Sequence, residues 1–597
     1  MPTADHAIRV ANCSGFYGDR LSAAREMVEG GPIDFLTGDW LAELTMYILS
    51  RNQAKTPSAG YARTFVTQME QVMGTCLDRG IKVVTNAGGL NPRACAEAVA
   101  DVAAKLGLAP KIAYVTGDNL LERIPELTAA GVDFANMDTG QKLGDLGVEI
   151  LTANAYLGCW GIVDALERGA DIVVTGRVTD AAVVMGPPAW HFGWKRDDWD
   201  RLAGACVAGH VIECGGQATG GNYSFFTEVP GMDYIGFPIA EIYADGSSVI
   251  TKHEGTGGQV SLGTVTSQLL YEIGSARYAN PDVICRFDTI ELSQPGPDRV
   301  RISSTRGEPA PPTLKVAMNY LGGYRNGFAF ALTGLDVDAK ADLLDRQIWS
   351  QFPGGRGYFE QARTQLIRSD KVDPSANEEA VALYKVTVKD REERKVGRAF
   401  SNVAVEFGLC SIPGFFGISG GPGPGQPYGV YWPALIPSDL VPQSVVVLGL
   451  HGAADEVAVV DNTPPIALET PVTIVSLEAP AVGPGPTRRI ALGTIFGARS
   501  GDKGGNANVG IFARSAAAFA WLDAFLTTAR LQELLPDTQP YAVERHPLPN
   551  LWSINFVVKG LLEEGVAASS RQDGQAKGLG EYLRAKYADI PEVLLRS

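Results

Sequence analysis

IKVVTNAGGLNPRACAEAVADVAAKLGLAPKIAYVT, residues 81–116, holds one complete strand, glycine loop, helix and strand. Lys82 to Thr85 is a short aliphatic run of strand length, and Asn86-Ala-Gly-Gly-Leu-Asn91-Pro92 ends it with turn formers. Ala98, Val102 and Leu106 then recur at helical spacing, and Ile112 to Thr116 resumes as a strand. The same unit lies on both sides. Toward the N-terminus, Ile8 to Asn12 leads through Gly15 and Gly18 to a helix carrying Leu21, Ala24 and Met27 or Val28, then to a strand from Ile33 to Leu36. Toward the C-terminus, Ile172 to Thr175 repeats the strand. Helices alternating with short buried strands predict an α/β fold, a mostly parallel sheet with flanking helices over residues 1–215. In such sheets ligands bind beyond the carboxyl ends of the strands, so the polar residues just after each strand are the first candidates.

The texture changes after residue 215. Glycine becomes denser, and strand-like runs such as Val249 to Lys252, Thr313 to Met318 and Val381 to Val388 predict a glycine-rich α+β region over 216–460. Pro464, Pro465, Pro471, Pro480, Pro484 and Pro486 mark 461–487 as an extended connector. Gly420 to Pro427, flanked by aromatics, reads as an ordered loop. Residues 488–597 read as a small α+β domain: a strand from Arg489 to Phe496, a glycine loop, a strand from Asn508 to Ala513, a helix, a strand from Trp552 to Val558 and a helix from Leu579 to Tyr587.

The chain's 597 residues exceed one core, and at roughly 100 to 200 residues per domain they suggest about three units. Its 67 acidic and 51 basic residues give a formal charge of −16, a field that repels nucleic acid and anionic membranes. A small anion can still be held by local Arg, Lys and backbone N–H groups. The eight cysteines show no CxxC pair and no zinc spacing, so reduced, mostly buried thiols and no metal are expected. The first residues lack a signal-peptide layout and no aliphatic run approaches a membrane span of about 20 residues, which predicts a cytoplasmic protein. There is no HExxH, Walker A or dinucleotide fingerprint, which weighs against zincin, NTPase and dehydrogenase chemistry.

Asp39 follows the second strand and suits a base or acceptor, or else a helix cap. Asn86, Gly88, Gly89 and Asn91 suit an anion cradle, or a tight turn. Asp118, Asn119, Arg177 and Asp180 follow later strands; Arg177 can clamp an anion bidentately or pair with Asp180. His210 and Glu213 lie one helical turn apart, near Asn222, and allow acid/base partnership. His253 and Glu254 precede Gly257 and Gly258 and a helix from Leu262 to Ile273; Glu254 is the preferred general acid/base, with capping the alternative. Arg499, Ser500, Asp502, Lys503 and Asn506 offer cations, a hydroxyl and amides in a hairpin or loop, suited to phosphate, to a subunit contact or to a salt-bridged turn.

GDWLAE (38–43), TNAGGLNP (85–92), TGRVTDAAVV (175–184), GHVIECGGQATGGNYSFF (209–226), EGTGGQV with QLLYEIG, and GISGGPGPGQPYGVYWPALIP (417–437) together resemble the acyclic terpene utilisation (AtuA) family. RSGDKGGNANVGIFAR (499–514) resembles the ferredoxin-fold domain at the C-terminus of such proteins. The resemblance covers almost the whole chain. It implies that 216–460 completes the family's core, and that the protein acts in catabolism of branched or isoprenoid acyl-CoA compounds. The expected chemistry is that of a hydratase, dehydratase or carbon-carbon lyase without a separate cofactor, CoA being part of the substrate, in a homo-oligomer with no nucleic-acid or membrane partner. On that view Glu254 or Asp39 moves the proton, Asn86 and Arg177 stabilise enolate charge, and the Arg499 to Asn508 segment holds the CoA phosphates. The alternative is an accessory subunit that binds an acyl intermediate and docks a partner enzyme through its C-terminal domain.

Overall fold

The computed structural model describes residues 6–418, 423–449, 454–465, 483 and 485–595. The aliphatic runs form β1 (Ile8–Asn12), β2 (Phe35–Gly38), β3 (Lys82–Thr85), β4 (Ile112–Thr116), β5 (Ile150–Ala155) and β6 (Ile172–Thr175). β1, β2, β3, β6 and β4 lie side by side in that order, all parallel. β4 precedes β6 in the chain yet lies beyond it in the sheet, so the direction of travel across the sheet reverses there. A crevice at the carboxyl ends is the consequence.

The sheet continues through residue 215. β7 (Pro238–Ile242) pairs antiparallel with β1, and β8 (Ser248–Lys252) with β7. Strands Arg299–Ser303 and Glu291–Gly296 extend that edge, while Gln443–Val447 and Glu456–Val460 extend the other beyond β4, giving eleven strands among the described residues. The core lies between sheet and helices: Leu36, Val83 and Val174 from the strands meet Met27, Phe65, Met69, Met73 and Val99 from the helices. Helix Pro92–Leu106 buries Cys95, Ala96, Val99 and Ala103 rather than the face expected from Ala98, Val102 and Leu106. Its small residues let it approach closely, whereas Leu106 stands 41% exposed at its last turn.

The C-terminal domain forms a four-stranded antiparallel sheet, Gly497–Lys503, Asn506–Phe512, Ser553–Val558 and Val543–Leu548, packed with helices Ala516–Phe525 and Leu579–Arg584. This is the expected α+β domain with three corrections. The strand starting near Arg489 ends at Ala491, and the expected glycine loop is itself a hairpin whose strands close at Lys503 and Asn506. The last helix stops at Arg584 because Tyr587–Pro591 becomes a strand against Thr487–Ala491. The helix expected from Leu262 to Ile273 also ends early, at Leu269.

The chain divides into two compact units. One comprises Met1–Asn319, Tyr431–Val566 and Asp573–Ser597; the other comprises Tyr320–Val430 and Ala567–Gln572. The second has its own core, in which Phe328, Phe330, Val386 and Val388 of a sheet meet Leu344 and Ile348 of helix Val337–Ser350 and Phe400 of helix Arg398–Glu406. Most of the expected connector 461–487 and part of the expected loop Gly420 to Pro427 lie outside the described residues. The eight cysteines are unpaired, six of them buried. Among the described residues no helix is long and apolar enough to cross a membrane.

Candidate functional site

The ends of β2, β3, β4 and β6 bring Asp39, Asn86, Asp118 and Arg177 together, all buried. Asn86 Nδ2 donates to Asp39 Oδ1 at 2.5 Å, and Trp40 N donates to Asn86 Oδ1 at 2.8 Å. Asp39 is therefore locked by an amide and does not cap the following helix, Glu43–Lys55, whose cap position is Ala42. Burial, followed by the charge of Asp180, raises the Asp39 carboxyl well above its ordinary range, against the opposing pull of Arg177.

Arg177 is fixed from three directions. Nη1 donates to Leu41 O at 2.7 Å, Nη2 donates to Asp180 Oδ1 at 2.7 Å, and the guanidinium lies 4.0 Å from the Tyr156 ring centroid. Its backbone N–H donates to Asp118 Oδ2, which also accepts from Asn154 Nδ2. Gly176 makes this approach possible, since a Cβ there would lie 2.4 Å from Asp118 Oδ1. Burial pushes Asp118 up to about 6.

His210 and Glu213 reach the same place from helix Trp199–Ile212, whose end Asn12 of β1 holds through the carbonyls of Ile212 and Glu213. His210 Nδ1 lies 3.2 Å from Glu213 Oε1, and the imidazole packs against the rings of Tyr278 and Phe287 at 5.2 and 5.6 Å. Burial pushes His210 down to about 4. Burial, then Asp180 and Glu272, raises Glu213 well above the usual carboxylate range. Both shifts favour the uncharged forms, and a carboxyl beside an imidazole can donate a proton or accept one.

These groups lie where the strand order predicts a crevice, and exposure increases from them toward solvent. The Arg177 and Glu213 side chains keep 3% and 8% of their surface exposed, whereas Asp180 and Lys315 keep 33% and 30%. Lys315 pairs with Glu43 at 3.3 Å and lies 5.1 and 5.3 Å from the ring centroids of Tyr156 and Tyr431. Among the described residues the buried Nε of Arg177, Nε1 of Trp40 and Oδ1 of Asn154 have no hydrogen-bond partner, and neither ring nitrogen of His210 completes a directed hydrogen bond. A buried polar group without a partner is available to a ligand, although such atoms also occur elsewhere in the chain.

The C-terminal sheet is fastened to residues 270–274, beside these groups. Asn508 Nδ2 donates to Leu270 O, Asn555 Nδ2 to Ile273 O, and Glu272 N to Asn508 Oδ1. Arg499 lies 4.2 Å from the Tyr271 ring centroid and bonds Gln217; Ser500 Oγ accepts from Gly580 N; Asn506 Nδ2 donates to Asp138. Most of the hairpin's polar groups thus fasten the domain in place. Asp502, raised to about 6 by burial and then by Glu272, pairs with Lys577. Lys503 Nζ donates to the Glu272 carbonyl at 3.0 Å.

Other candidates fall elsewhere. Glu254 is exposed in the turn after β8, and buried His253 bonds Met27 O through Nε2. Asn91 caps helix Pro92–Leu106, while Gly88 and Gly89 pack against Thr175 O and Gly60 O, so this loop is a tight turn that delivers Asn86. Asn119 caps its own turn, Asn222 is an exposed residue with φ of 56°, and Gly257 and Gly258 pack on the backbone of Gly231 and Thr219. Glu272, Lys315, Tyr156 and Tyr431 were not among the sequence candidates. Lys315 and Tyr431 sit in segments already singled out, the Thr313 to Met318 strand and the GVYWPALIP motif, yet their convergence has no local signal. A serine-elbow pattern, Gly417-Ile-Ser-Gly-Gly421, occurs in the sequence, with its serine outside the described residues. Among the described residues no group of three or more His, Cys, Asp or Glu is placed to hold a metal ion.

The profile of the family described as acyclic terpene utilisation family protein AtuA matches residues 8–447, and that of the AtuA ferredoxin-like domain matches 490–587. No curated protein and no solved structure matches the chain. The first match spans the sheet and the strand ends around the crevice, and the second spans the C-terminal sheet fastened beside it. The chain belongs to the acyclic terpene utilisation family AtuA, carries the AtuA ferredoxin-like domain, and by that membership has its role in terpene utilisation.

Proposed function

We propose that the crevice is the active site of an enzyme that adds water to, or removes it from, a branched or isoprenoid acyl-CoA by acid/base catalysis, without a separate cofactor. The observation that carries this reading is the buried Glu213 and His210 pair, 3.2 Å apart, with burial raising the carboxyl and lowering the imidazole, beside a fixed cation. In the dehydration direction a base takes the proton from the carbon next to the thioester carbonyl. The hydroxyl on the next carbon then leaves as water with a proton from a neutral carboxyl. Glu213 is the proton donor, and His210 is the base that takes the carbon-bound proton and then returns it to Glu213, so that both groups end the cycle as they began it. Arg177, already immobilised by Leu41 O and Asp180, stabilises the negative charge that develops on the thioester oxygen at no reorganisation cost. Asp39 keeps Asn86 directed and does not itself reach the substrate.

Glu213 takes the acid/base role expected of Glu254, because Glu254 is exposed and makes no contact with these groups. The test is turnover of a panel of branched 2-enoyl-CoA and 3-hydroxyacyl-CoA thioesters by the full chain and by Glu213→Gln. Loss of turnover with an unchanged thermal melt supports the assignment; turnover equal to that of the unaltered protein removes it.

A further inference from the structure

The His210 imidazole rests on a hairpin of the core whose strands, Arg277–Ala279 and Ile284–Arg286, pair antiparallel with Tyr278 opposite Cys285. Tyr278 and, just past the second strand, Phe287 lie 5.3 Å apart, ring to ring, and both pack on His210, at 5.2 and 5.6 Å. Phe287 N donates to Ala276 O at 2.8 Å, which closes the hairpin, and the Cys285 thiol turns toward Ala203 O of the helix that carries His210. Both ends of this hairpin are gripped by the ferredoxin-like domain. Before its first strand, Asn555 Nδ2 donates to Ile273 O at 3.0 Å and to Gly274 O at 2.7 Å. After its second strand, Asn550 Nδ2 donates to Phe287 O at 2.8 Å and to Ile290 O at 2.9 Å. Lys503 adds a third hold: its Nζ, bonded to Glu272 O, lies 5.7 Å from the Tyr278 ring centroid. Asn550 Oδ1 has no partner among the described residues, so what this half-buried side chain contributes is its donors. An amide that spends both hydrogens on backbone carbonyls fixes where that backbone lies, and a displacement of about 1 Å at a reacting group can cost about 10²-fold in rate.

We infer that Asn550 and Asn555 are positioning residues: by gripping the two ends of this hairpin they set the Tyr278 and Phe287 rings, and through them the imidazole of His210. This rests on His210 acting in the crevice as proposed above, and it makes the ferredoxin-like domain a part of the catalytic apparatus rather than an independent binding or docking module. The charged groups that face His210 are Glu213 on its own helix, Asp180 after β6, Glu272 in the turn before the hairpin and Lys503 of the C-terminal sheet. All four stay in place when Asn550 is replaced, so a change in the imidazole reports the hairpin.

The experiment is an NMR titration of the His210 ring nitrogens in the full chain, in Asn550→Ala and Asn550→Asp, and in Arg514→Ala as the control. Arg514 pairs with Glu228, another contact between the domain and the core, and one that lies off the hairpin. Without the Asn550 donors the Phe287 carbonyl is released and water gains access to the imidazole. The His210 midpoint should then rise from about 4 toward 6.5 in both Asn550 variants and stay where it is in Arg514→Ala. With a thioester that the unaltered protein turns over, kcat should fall about tenfold or more in the Asn550 variants while KM holds. The nitrogen shifts are read without substrate, so they answer even where no thioester is turned over, a result that would remove the reaction proposed above and leave the positioning role standing. Ring-nitrogen shifts and a midpoint unchanged in both Asn550 variants, an equal displacement in Arg514→Ala, or failure of both Asn550 variants to fold would each overturn the inference.

Discussion

Asp345, in the second compact unit, and Glu213, in the crevice, are both carboxylates set among aromatic rings, and they are shifted in opposite directions. Burial alone would raise both. Around Asp345 the donors outweigh it: Tyr384 OH at 2.5 Å, Arg356 Nη2 at 2.6 Å and Trp349 Nε1 at 3.0 Å keep the carboxylate ionised and below its ordinary range. Glu213 has no such shell. Its neighbours Asp180 and Glu272 add to burial, and its carboxyl is raised well above the ordinary range. The difference teaches that a satisfied carboxylate ties a fold together, whereas an under-satisfied one is left available for chemistry.

The contrast can be broken at either end. Glu213→Gln has the largest expected effect, a loss of turnover of about 10²- to 10⁴-fold, the usual contribution of a positioned acid/base. The melt should hold, because the amide keeps the shape of the carboxyl it replaces. Asp345→Ala is the mirror experiment. It strands the buried Tyr384 hydroxyl and the Trp349 indole, which should cost about 1–3 kcal/mol in denaturant unfolding while leaving turnover intact. A stability loss in the first variant or an activity loss in the second would reverse the roles assigned here.

Titration sharpens the comparison further. His210, pushed down to about 4 from 6.5, binds fewer protons folded than unfolded between those values, so its contribution to stability is present above about pH 6.5 and lost as pH falls toward 4. Asp118 and Asp502, raised to about 6 from 3.8, act the other way: their contributions are present below about pH 3.8 and lost as pH rises toward 6. The trends oppose one another in a global melt, so the decisive measurement is the His210 ring nitrogen shifts by NMR. They should stay flat from pH 7 to 5, and a midpoint near 6.5 would show that the imidazole is solvated. The smallest effect belongs to Glu254→Gln, which should leave turnover unchanged in the same assay.

Much of the core was legible in the sequence because it is local. β1, β3, β4 and β6 fall where the aliphatic runs place them, and strand-end logic brings Asp39, Asn86 and Arg177 to one crevice. The buried face of helix Pro92–Leu106 was misread because periodicity favours the bulky Leu106, whereas close packing favours Cys95, Ala96 and Val99. Glu254 drew notice as a carboxylate beside a glycine turn, yet whether a turn faces a crevice or solvent depends on the strands beside it. The approach of Lys315 to the Tyr156 and Tyr431 rings joins residues more than a hundred positions apart, and no local pattern encodes it. Asn86 illustrates a partial success: its loop is a turn, as one reading allowed, and the turn aims a single amide at Asp39.

The division of the chain has a consequence for how the protein is made. Arg177 leaves the ribosome first, Lys315 later, then the whole of Tyr320–Val430, and the hairpin that ends in Lys503 near the last. Until that hairpin arrives, the side chains of Leu270, Tyr271 and Phe287, buried in the finished fold, lack the C-terminal partner that covers them. A nascent or prematurely terminated chain therefore presents a sticky, half-built surface, a natural client for molecular chaperones.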